Sequence, residues 1–453
     1  MSNIEALNRK IDMESGAFRL ADQYIAGNQP AAFMSKKSRE ALDSRMSRMS
    51  IGIPKLAVSA LTERLSVQGF RVEGSSEPDP ALSAVSDRVD LELTIAQALN
   101  DMLTYGQGYV SVWVDDRGQA TARVESPYQT SVTRDPQTGE VTAALKRWRD
   151  SDGTPRATYY TPDRIRSLSH RGWKTQGAYP QDGWSVMGTV DNPFGVVPIV
   201  ALTNRPTWQN PDGVSEIEPL YDLVDGLCKT LSDSLVTSEF YARPRRWATG
   251  IELQEDEDGN FIAPFSNAAD SVWVSEDHES RFGQFQSSSM SGYEGQVRMF
   301  LQLISSVSGL PQHYLSVNGE LPSADAIRSS EASLVAKVSQ IKRTTSKAVA
   351  RIAAILLCIE NDFLTDVRSI SIDPIWGQSE SRSVAQSADA LQKLVAAGVP
   401  LSVALSTEMG WSPEMIETVR AAKRAEAIVN TPLGVDQLLP SLPLDPGDKV
   451  TSE

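Results

Sequence analysis

The feature that most constrains this chain is the segment between Pro322 and Asn361, which contains neither glycine nor proline. An uninterrupted helix of that length would measure roughly 60 Å at about 1.5 Å per residue, which exceeds the width of most globular domains. Ser323 is a favourable N-cap, and Asp325 follows in the first turn, where the helix dipole favours negative charge. We therefore predict one long helix that crosses between bodies or subunits, which is more typical of a structural assembly than of an enzyme.

The predicted long helix combines an apolar stripe with a basic middle section. The basic side chains are Lys337, Lys342, Arg343, Lys347 and Arg351, which we interpret as a solvated or intersubunit face in preference to a DNA site. The apolar positions, spaced as on one face of a helix, are Ile327, Leu334, Val338, Ile341, Ile352, Leu356, Ile359 and Phe363.

The composition describes an acidic chain with enough apolar residues for several cores. Of its 453 residues 40% are hydrophobic, and 43 basic against 58 acidic side chains give a net charge of −15. The length predicts roughly three domains, and the negative surface disfavours tight binding of nucleic acid. Cys228 and Cys358 lie far apart in apolar helical patterns, which predicts buried free thiols in a reducing compartment.

The sequence contains no motif of a catalytic or metal site. The phosphate-binding loop Gly-x-x-x-x-Gly-Lys-Ser/Thr and the nucleophile elbow Gly-x-Ser-x-Gly are both absent. None of the three histidines has another His or Cys at metal-ligand spacing, so zinc is not expected. Four consecutive acids would attract Mg²⁺, but in a glycine-flanked loop such residues typically face water; they are Glu255, Asp256, Glu257 and Asp258. We predict no enzymatic activity, no cofactor and no metal.

Membrane and export signals are also missing from the sequence. No apolar run reaches the roughly 20 residues that a spanning helix needs. The amino-terminal sequence MSNIEALNRK is charged and has no hydrophobic signal core. We therefore expect no membrane association and a protein that works in the compartment where it is made.

The first half of the chain alternates helical and strand patterns. Helical spacing of apolar residues occupies the first sixty residues and returns over 91–103, and a strand is predicted at 66–72. Between Tyr109 and Tyr160, short strand patterns alternate with turn sequences, which predicts the hairpins of one antiparallel sheet. The proline-punctuated run 192–200 is predicted as an edge strand or an extended connector.

The second half is mainly helical, with one acidic insert. Ser215 and Glu218 have the spacing of a capping box, at the start of a helix predicted to end before Pro244. Residues 245–292 mix short strand patterns with nine acidic residues and three arginines, a local charge of −6. This composition predicts a small acidic module inserted between helices. The next helix is predicted to end at Gly309, a favourable C-cap.

The segments around and after the long helix are shorter. Residues 312–321 are predicted to be a loop that leads into it. After Trp376, three short helical patterns predict a small bundle. From residue 433 onward, Pro, Gly, Asp and Ser are frequent, which predicts a mobile tail.

Several short motifs occur along most of the chain. They are 24–30 (YIAGNQP), 65–70 (LSVQGF), 105–110 (YGQGYV), 126–127 (SP), 192–198 (NPFGVVP), 309–311 (GLP) and 314–315 (YL). Their shared order resembles the portal, or head-to-tail connector, proteins of tailed double-stranded DNA bacteriophages, of the siphophage type found in actinobacterial phages. The resemblance spans roughly residues 15–430, and none of the motifs is catalytic.

The resemblance implies an α+β, mainly helical fold with portal architecture. Its parts are a wing of helices plus an antiparallel sheet, a two-helix stem, a small α/β clip, a long spine helix and a helical crown. Carried over to this chain, the expected boundaries are wing 1–213 (its N-terminal part), stem helix 214–243, clip 244–292, second stem helix 293–310, tunnel loop 311–322, wing spine helix 323–378, crown 379–430 and flexible tail 431–453.

The resemblance also implies a function. Portal proteins of this type form a ring, usually of twelve subunits, at one capsid vertex, and DNA passes through it during packaging and ejection. The expected partners are further copies of the chain, the major capsid protein, the terminase packaging motor, head–tail adaptor proteins and double-stranded DNA without sequence specificity. The expected location is the virion, and the host cytoplasm during assembly.

Candidate site residues follow from these parts. The clip would contain the acidic loop of Glu255, Asp256, Glu257 and Asp258. An acidic conduit offers few strong phosphate contacts, and a few cations would lower the barrier to sliding DNA locally. The candidates for the tunnel loop and the DNA channel are Gln312, His313, Tyr314, Asn318, Lys337 and Lys342.

Three other interpretations of the sequence remain open. The chain could be another structural protein of the phage head, such as an adaptor or a scaffold. The same helical patterns would also fit an ordinary monomeric helical domain, or an enzyme of an unrecognised type. A ring seen by electron microscopy would favour the portal, and turnover of DNA or ATP with Mg²⁺ would favour the enzyme.

Overall fold

The computed structural model of the chain describes residues 2–30, 36, 49–75, 78–173, 177–241, 246–250, 254–255, 261–262, 279–284, 290–315, 323–380, 384–409, 411 and 413–430. The chain forms two compact units, Met1–Glu380 and Ser381–Glu453, which are described separately. Helices and antiparallel strands both occur in the first unit, so the predicted α+β, mainly helical class is confirmed.

The first unit contains eight of the described α-helices. Gly27 (φ +67°) follows the first helix, and Asp79 caps the third by accepting the amide of Leu82 at 2.9 Å. The helices are α1 (Ser2–Ile25), α2 (Ile53–Thr62), α3 (Pro80–Arg88), α4 (Leu91–Tyr105), α5 (Tyr221–Tyr241, preceded by a 3-10 turn at Glu218–Leu220), α6 (Ser291–Ser308), α7 (Gln312–Leu315) and α8 (Ala324–Glu360).

The described strands of the first unit pair with antiparallel neighbours. They are β1 (Val67–Val72), β2 (Gln107–Val114), β3 (Ala120–Glu125), β4 (Thr130–Arg134), β5 (Val141–Arg149), β6 (Pro155–Tyr160), β7 (Arg164–Ser169), β8 (Ser185–Asp191), β9 (Ile199–Thr203), β10 (Arg246–Thr249), β11 (Gln254–Glu255), β12 (Phe261–Ile262), β13 (Arg281–Gln284) and β14 (Ile372–Trp376).

The predicted single sheet between Tyr109 and Tyr160 is wrong, because these strands belong to two sheets. One has the order β3-β2-β9 and the other β4-β5-β6-β7-β8. The chain leaves the first sheet after Glu125, and β9 later fills the other edge of β2, so the proline-punctuated run does lead into an edge strand. Alternating sequence patterns indicate strands but not which edges pair, which explains the error.

Helix α1 covers one face of the five-stranded sheet. Ile4, Leu7 and Ile11 recur on one side of the helix and are buried against β5, β6 and β7, with Leu145 fully buried beneath them. The predicted helical periodicity of this region is therefore confirmed. Arg147 on β5 is also buried there and contacts Asp12 of α1.

Helix α8 forms as predicted, with Ser323 as its N-cap accepting the amide of Ala326 at 3.3 Å. Its apolar stripe is covered within the same unit, because Leu334, Val338 and Ile352 are buried in the main core. The helix lies within one compact unit, so the expected crossing between bodies is wrong, whereas a crossing between subunits stays a prediction. Phe363 was also wrongly placed on the helix; it lies beyond Glu360, at φ +60°.

The second unit contributes three described helices, α9 (Val384–Ala396), α10 (Leu401–Met409) and α11 (Pro413–Asn430), which confirms the three predicted helical patterns. Gly398, at φ +92°, follows the first of them, as a helix stop requires. The predicted tail 431–453 lies outside the described residues. Throughout the described parts of both units, none of the helices combines the length and apolarity required to span a bilayer.

Candidate functional site

Helices α5 and α6, the predicted stem helices, pack antiparallel within one chain. Gly226 of α5 contacts Phe300 of α6, and Thr237 hydrogen-bonds with Tyr293 at 2.8 Å, so the contacts run in opposite order along the two helices. A Cβ at Gly226 would lie 2.6 Å from the ring of Phe300, so glycine lets the helices approach closely here. Ile304 is fully buried in the core.

Helix α6 also has a second apolar stripe, which is about half exposed. Met299, Leu303 and Val307 recur at intervals of four residues and remain 48%, 43% and 47% exposed. The inner stripe of Val297, Phe300 and Leu301 is partly buried against the core instead. An ordinary surface helix has one apolar face, so the second stripe of α6 needs a cover that the described part of a single chain does not supply.

The connection from α6 to α8 begins with a predicted helix stop. Gly309 adopts φ +75° and donates its amide to the carbonyl of Ser305 at 2.9 Å, which confirms its assignment as the C-cap. The prediction of a loop over 312–321 is wrong for Gln312–Leu315, which form α7. Pro311 fixes a backbone angle suited to the start of a helical turn, and its carbonyl accepts the amide of Tyr314 at 3.0 Å.

Two of the predicted tunnel-loop residues are attached to α8. The hydroxyl of Tyr314 accepts from Arg64 at 2.9 Å and donates to Glu331 at 3.3 Å. His313 hydrogen-bonds with Ser330, also on α8, at 3.2 Å. Gln312 is exposed, and Asn318 lies outside the described residues. The base of this segment is therefore held by polar contacts, whereas its assignment to a DNA channel stays a prediction.

Lys337 lies in a largely buried cluster that sequence reasoning did not find. Its ammonium group contacts the Glu216 carboxylate and donates to the carbonyl of Ser308 at 2.8 Å. Glu216 is 5% exposed. Its carboxylate also accepts a hydrogen bond from Asn204 at 3.1 Å and forms an ion pair with Arg205 at 3.4 Å. The cluster therefore joins the end of α6, the segment that precedes the 3-10 turn before α5, and the middle of α8.

Lys342 is buried and bonded within the same chain. Its Nζ donates to the carbonyl of Gly377 at 2.7 Å and to the hydroxyl of Ser379 at 2.6 Å. Burial lowers the pKa of Lys342 to about 8, because a charged ammonium loses its hydration there. Its assignment to the channel surface stays a prediction, and the geometry of the single chain gives it no support.

The acidic clip loop is described only at its first member. Glu255 ends β11, which pairs with β12, and Asp256, Glu257 and Asp258 lie outside the described residues. The neighbouring ribbon of β10 and β13 leaves Trp247 38% exposed. Strand patterns in this acidic insert are thus confirmed where the structure describes them.

The described parts of the chain contain no cluster of metal ligands, and their two cysteines are free. Groups of three or more His, Cys, Asp or Glu that could hold a metal ion do not occur among the described residues. Cys228 and Cys358 are free and buried, as predicted, and burial raises the pKa of both thiols. The thiolate form is therefore disfavoured at both positions.

The family of phage portal proteins described as SPP1 Gp6-like matches residues 6–425, nearly the whole chain. The chain belongs to this portal family. Portal proteins of Mycobacterium phage L5 and Mycobacterium phage D29 are each 26% identical to it. Those alignments cover 420 and 422 residues, which amount to 87% of this chain in both cases and to 83% and 84% of the relatives.

Solved structures similar to this portal protein include chains of gene transfer agent (GTA) particles. A chain of the neck of a native GTA particle, computed with C12 symmetry, aligns with a TM-score of 0.42 at 12% identity, over 84% of this chain and 94% of that one. A chain from the neck of an empty GTA particle, computed with C6 symmetry, gives 0.45 at 12% identity, over 81% and 91%.

Membership of the family confirms the predicted function at the level of class. The protein is a structural portal protein and a component of the phage particle, not an enzyme. The relatives from two mycobacteriophages also agree with the predicted actinobacterial siphophage type.

Proposed function

We propose that this portal protein assembles as a ring of twelve copies at one vertex of the capsid. Double-stranded DNA enters through the ring during packaging and leaves through it during ejection. Membership of the portal family supports the proposal, because the portal proteins that this chain resembles form rings, usually of twelve subunits. The particle forms in the host cytoplasm and the ring remains in the virion.

The observation that carries the ring proposal is the outward stripe of Met299, Leu303 and Val307 on α6. Rings with rotational symmetry require two different faces on each copy, one for each neighbour. Helix α6 packs on α5 through Phe300, and its half-exposed stripe is available to the next copy. Fully burying such a side chain contributes about 1.5–3 kcal/mol, so half-exposed ones would each gain about 1 kcal/mol at every interface.

We assign the portal parts to this chain as part of the proposal. The proposed ranges are wing 1–213, stem 214–243 and 293–310, clip 244–292, tunnel loop 311–322, spine 323–378, crown 379–430 and tail 431–453. The antiparallel pair of α5 and α6 supports the stem, and the N-cap and length of α8 support the spine.

In this proposal, electrostatics let DNA slide instead of binding it tightly. A net charge of −15 per chain gives about −180 for twelve copies before counterions, which disfavours strong phosphate contacts. The segment that starts with Gln312 and His313 would approach the DNA. Lys337 and Lys342 would act mainly through their contacts within the chain.

The remaining partners follow from the same assignment. The acidic clip would dock the terminase packaging motor and later the head–tail adaptor proteins. The wing would contact the major capsid protein. These contacts require no sequence-specific recognition of DNA and no membrane.

The experiment that tests the proposal compares the purified full-length chain with two variants by sedimentation velocity and electron microscopy. Met299→Asp with Leu303→Asp places charge on the outward stripe of α6. Leu93→Asp is the matched control, because Leu93 is 58% exposed on α4. We expect channelled rings for the wild type and the control and loss of rings for the double variant.

Each contrary result has a separate meaning. A wild-type chain that stays monomeric at high concentration would contradict the ring itself. Rings of normal stability in the double variant would refute the α6 stripe as the interface, and the ring would then rest on family membership alone.

A further inference from the structure

Lys342 is a lysine buried in the middle of α8, with only 8% of its surface exposed. Burying an ammonium group is costly, and buried charges in proteins are usually paired with an opposite charge. The described partners of Lys342 are instead two neutral oxygens, the carbonyl of Gly377 and the hydroxyl of Ser379. The position of these two oxygens in the chain therefore indicates what the lysine does.

Both acceptors lie where the chain leaves the first compact unit. Strand β14 ends at Trp376, and the first unit ends at Glu380, one residue after Ser379. The short segment between the last strand of the first unit and the start of the second unit is thus attached to α8 by the buried lysine.

Two further hydrogen bonds hold the same segment. The indole Nε1 of Trp376 donates to the hydroxyl of Ser346, one turn along α8 from the buried lysine, at 2.9 Å. From the other side, the carbonyl of Ser66 accepts the amide of Gly377 at 2.9 Å. A Cβ on Gly377 would lie 2.4 Å from the hydroxyl oxygen of Ser66, so a larger residue would displace this contact. Residues 376–379 are therefore held between α8 and the residue that precedes β1.

The charged side chains on the elements around this lysine are exposed. Arg71 and Asp373 pair directly across β1 and β14, on the face opposite the one whose tryptophan contacts α8. Arg343 follows the lysine on α8, and Glu380 follows the segment. Among the described residues, none of these groups forms an ion pair with Lys342. Burial therefore lowers the pKa of Lys342 from its ordinary value of 10.5 to about 8.

We propose that Lys342 closes a clamp on residues 376–379, and that the clamp tightens when the lysine loses its proton. The clamp fixes the end of the first unit on α8, and the chain continues from there into the second unit. A neutral amine still has two N–H groups, enough to donate to both oxygens, and it avoids the cost of a buried charge. This inference does not depend on the proposed ring.

The direction of the pH effect follows from the open and closed states of the clamp. When the clamp opens, Lys342 meets water and its pKa returns from about 8 to 10.5. Between these two values the open clamp binds one proton more than the closed clamp, so a rise in pH favours the closed state. Opening should therefore become about eightfold rarer between about pH 7.5 and pH 9.

Native-state hydrogen exchange of the full-length chain measures this opening without any substitution. The reporter is the amide of Gly377, followed in peptides that cover 372–380, with rates corrected for the intrinsic effect of pH on exchange. We expect the eightfold change in these peptides. Peptides from β5 report opening elsewhere in the same unit and should not show it.

Substitutions supply an independent readout. Lys342→Met keeps most of the aliphatic volume but removes the donors, so it should raise opening at pH 7.5 about tenfold and abolish the pH dependence. Ser379→Ala removes one acceptor, so it should raise opening less and keep the pH dependence. Lys347→Met removes an exposed lysine from the same helix and is the matched control, which should behave as the wild type.

An opening equilibrium at Gly377 that stays constant from pH 7.5 to pH 9 in the wild type would overturn the inference, whether or not Lys342→Met folds. The same pH dependence in Lys342→Met as in the wild type would assign the effect to another group and would also overturn it. Both results are read from the exchange of single chains or of rings, so neither bears on the proposed ring.

Discussion

Replacing Lys337 by methionine tests whether its ammonium group ties α6 to α8. The group contacts the Glu216 carboxylate and the carbonyl of Ser308, while Arg205 and Asn204 also reach Glu216. Methionine keeps most of the aliphatic volume of lysine, so packing changes little and the lost charge dominates. The carboxylate of Glu216, which is 5% exposed, would then be buried with less compensation.

The size of the effect follows from the geometry of this cluster. Removing one partner of a buried ion pair typically costs about 3–5 kcal/mol. Lys337→Met should cost about 2–3 kcal/mol, at or below the lower end of that range. The reason is that Arg205, 3.4 Å from Glu216, still neutralises part of the charge of its carboxylate. Since about 1.4 kcal/mol corresponds to a factor of ten, the last turn of α6 should open roughly 30 to 140 times more often.

Native-state hydrogen exchange with mass spectrometry measures that opening directly, in the peptide that covers the end of α6. Lys347→Met is the matched control, because it removes a lysine from the same helix outside the cluster. Glu216→Gln and the Lys337→Met/Glu216→Gln double variant complete a double-mutant cycle. We expect a coupling free energy of about 1–2 kcal/mol between the two side chains. Unchanged protection in Lys337→Met, or strictly additive effects in the cycle, would refute the role of the cluster.

Three further predictions concern the loop, the stem and the response to pH. Removing residues 317–319 should impair packaging or retention of DNA and leave rings assembled; lost rings would mean that the segment serves assembly. Leu301→Asp with Ile304→Asp should abolish ring formation, because Ile304 is fully buried and a buried charge is costly, so wild-type assembly would contradict the α5–α6 packing. Burial, and then the charge of Asp22, raise the pKa of Asp101 to about 6. Between about pH 4 and pH 6 the Asp101 carboxyl is therefore protonated in the folded chain and ionised in the unfolded chain. Stability should therefore fall as the pH rises through that window, and thermal melts of Asp101→Asn should lack this loss.

The elements that depend on local sequence were predictable. Helix α8 contains no helix breaker, and Ser323 caps it as expected, so its start agrees with the prediction, whereas it ends at Glu360, before the predicted Phe363. The end of α6 at Gly309 was equally clear, because only a residue without a side chain adopts the left-handed conformation there at low cost. Propensity and capping act over a few residues and can be read directly.

Pairings between distant segments could not be predicted. Strand β1 was expected, but its partner β14 lies about three hundred residues later, and no local pattern identifies it. The capping box of Ser215 does not form, because its hydroxyl accepts the amide of Ile217 at 3.3 Å and not that of Glu218, while it donates to the carbonyl of Thr104 at 2.7 Å. The tertiary contact with Thr104 thus could not be predicted from the local pattern.

The same limit applies to the candidate site. Lys337 and Lys342 were assigned to the channel from their charge, but the groups that hold them, Glu216 and the Gly377 carbonyl, lie far away in sequence. The exposure of Trp208 and the second stripe of α6 likewise depend on which surfaces the rest of the chain covers. Charge and periodicity identify candidates, and only the fold shows which of them remain available.

The most direct test of the central claim is an image of the purified full-length chain, averaged along the symmetry axis of its particles. The proposal predicts a closed ring of twelve copies around an open channel, with α6 of each copy at the contact between neighbours. Compact monomers under the salt conditions of the virion, with no association at high concentration, would contradict it.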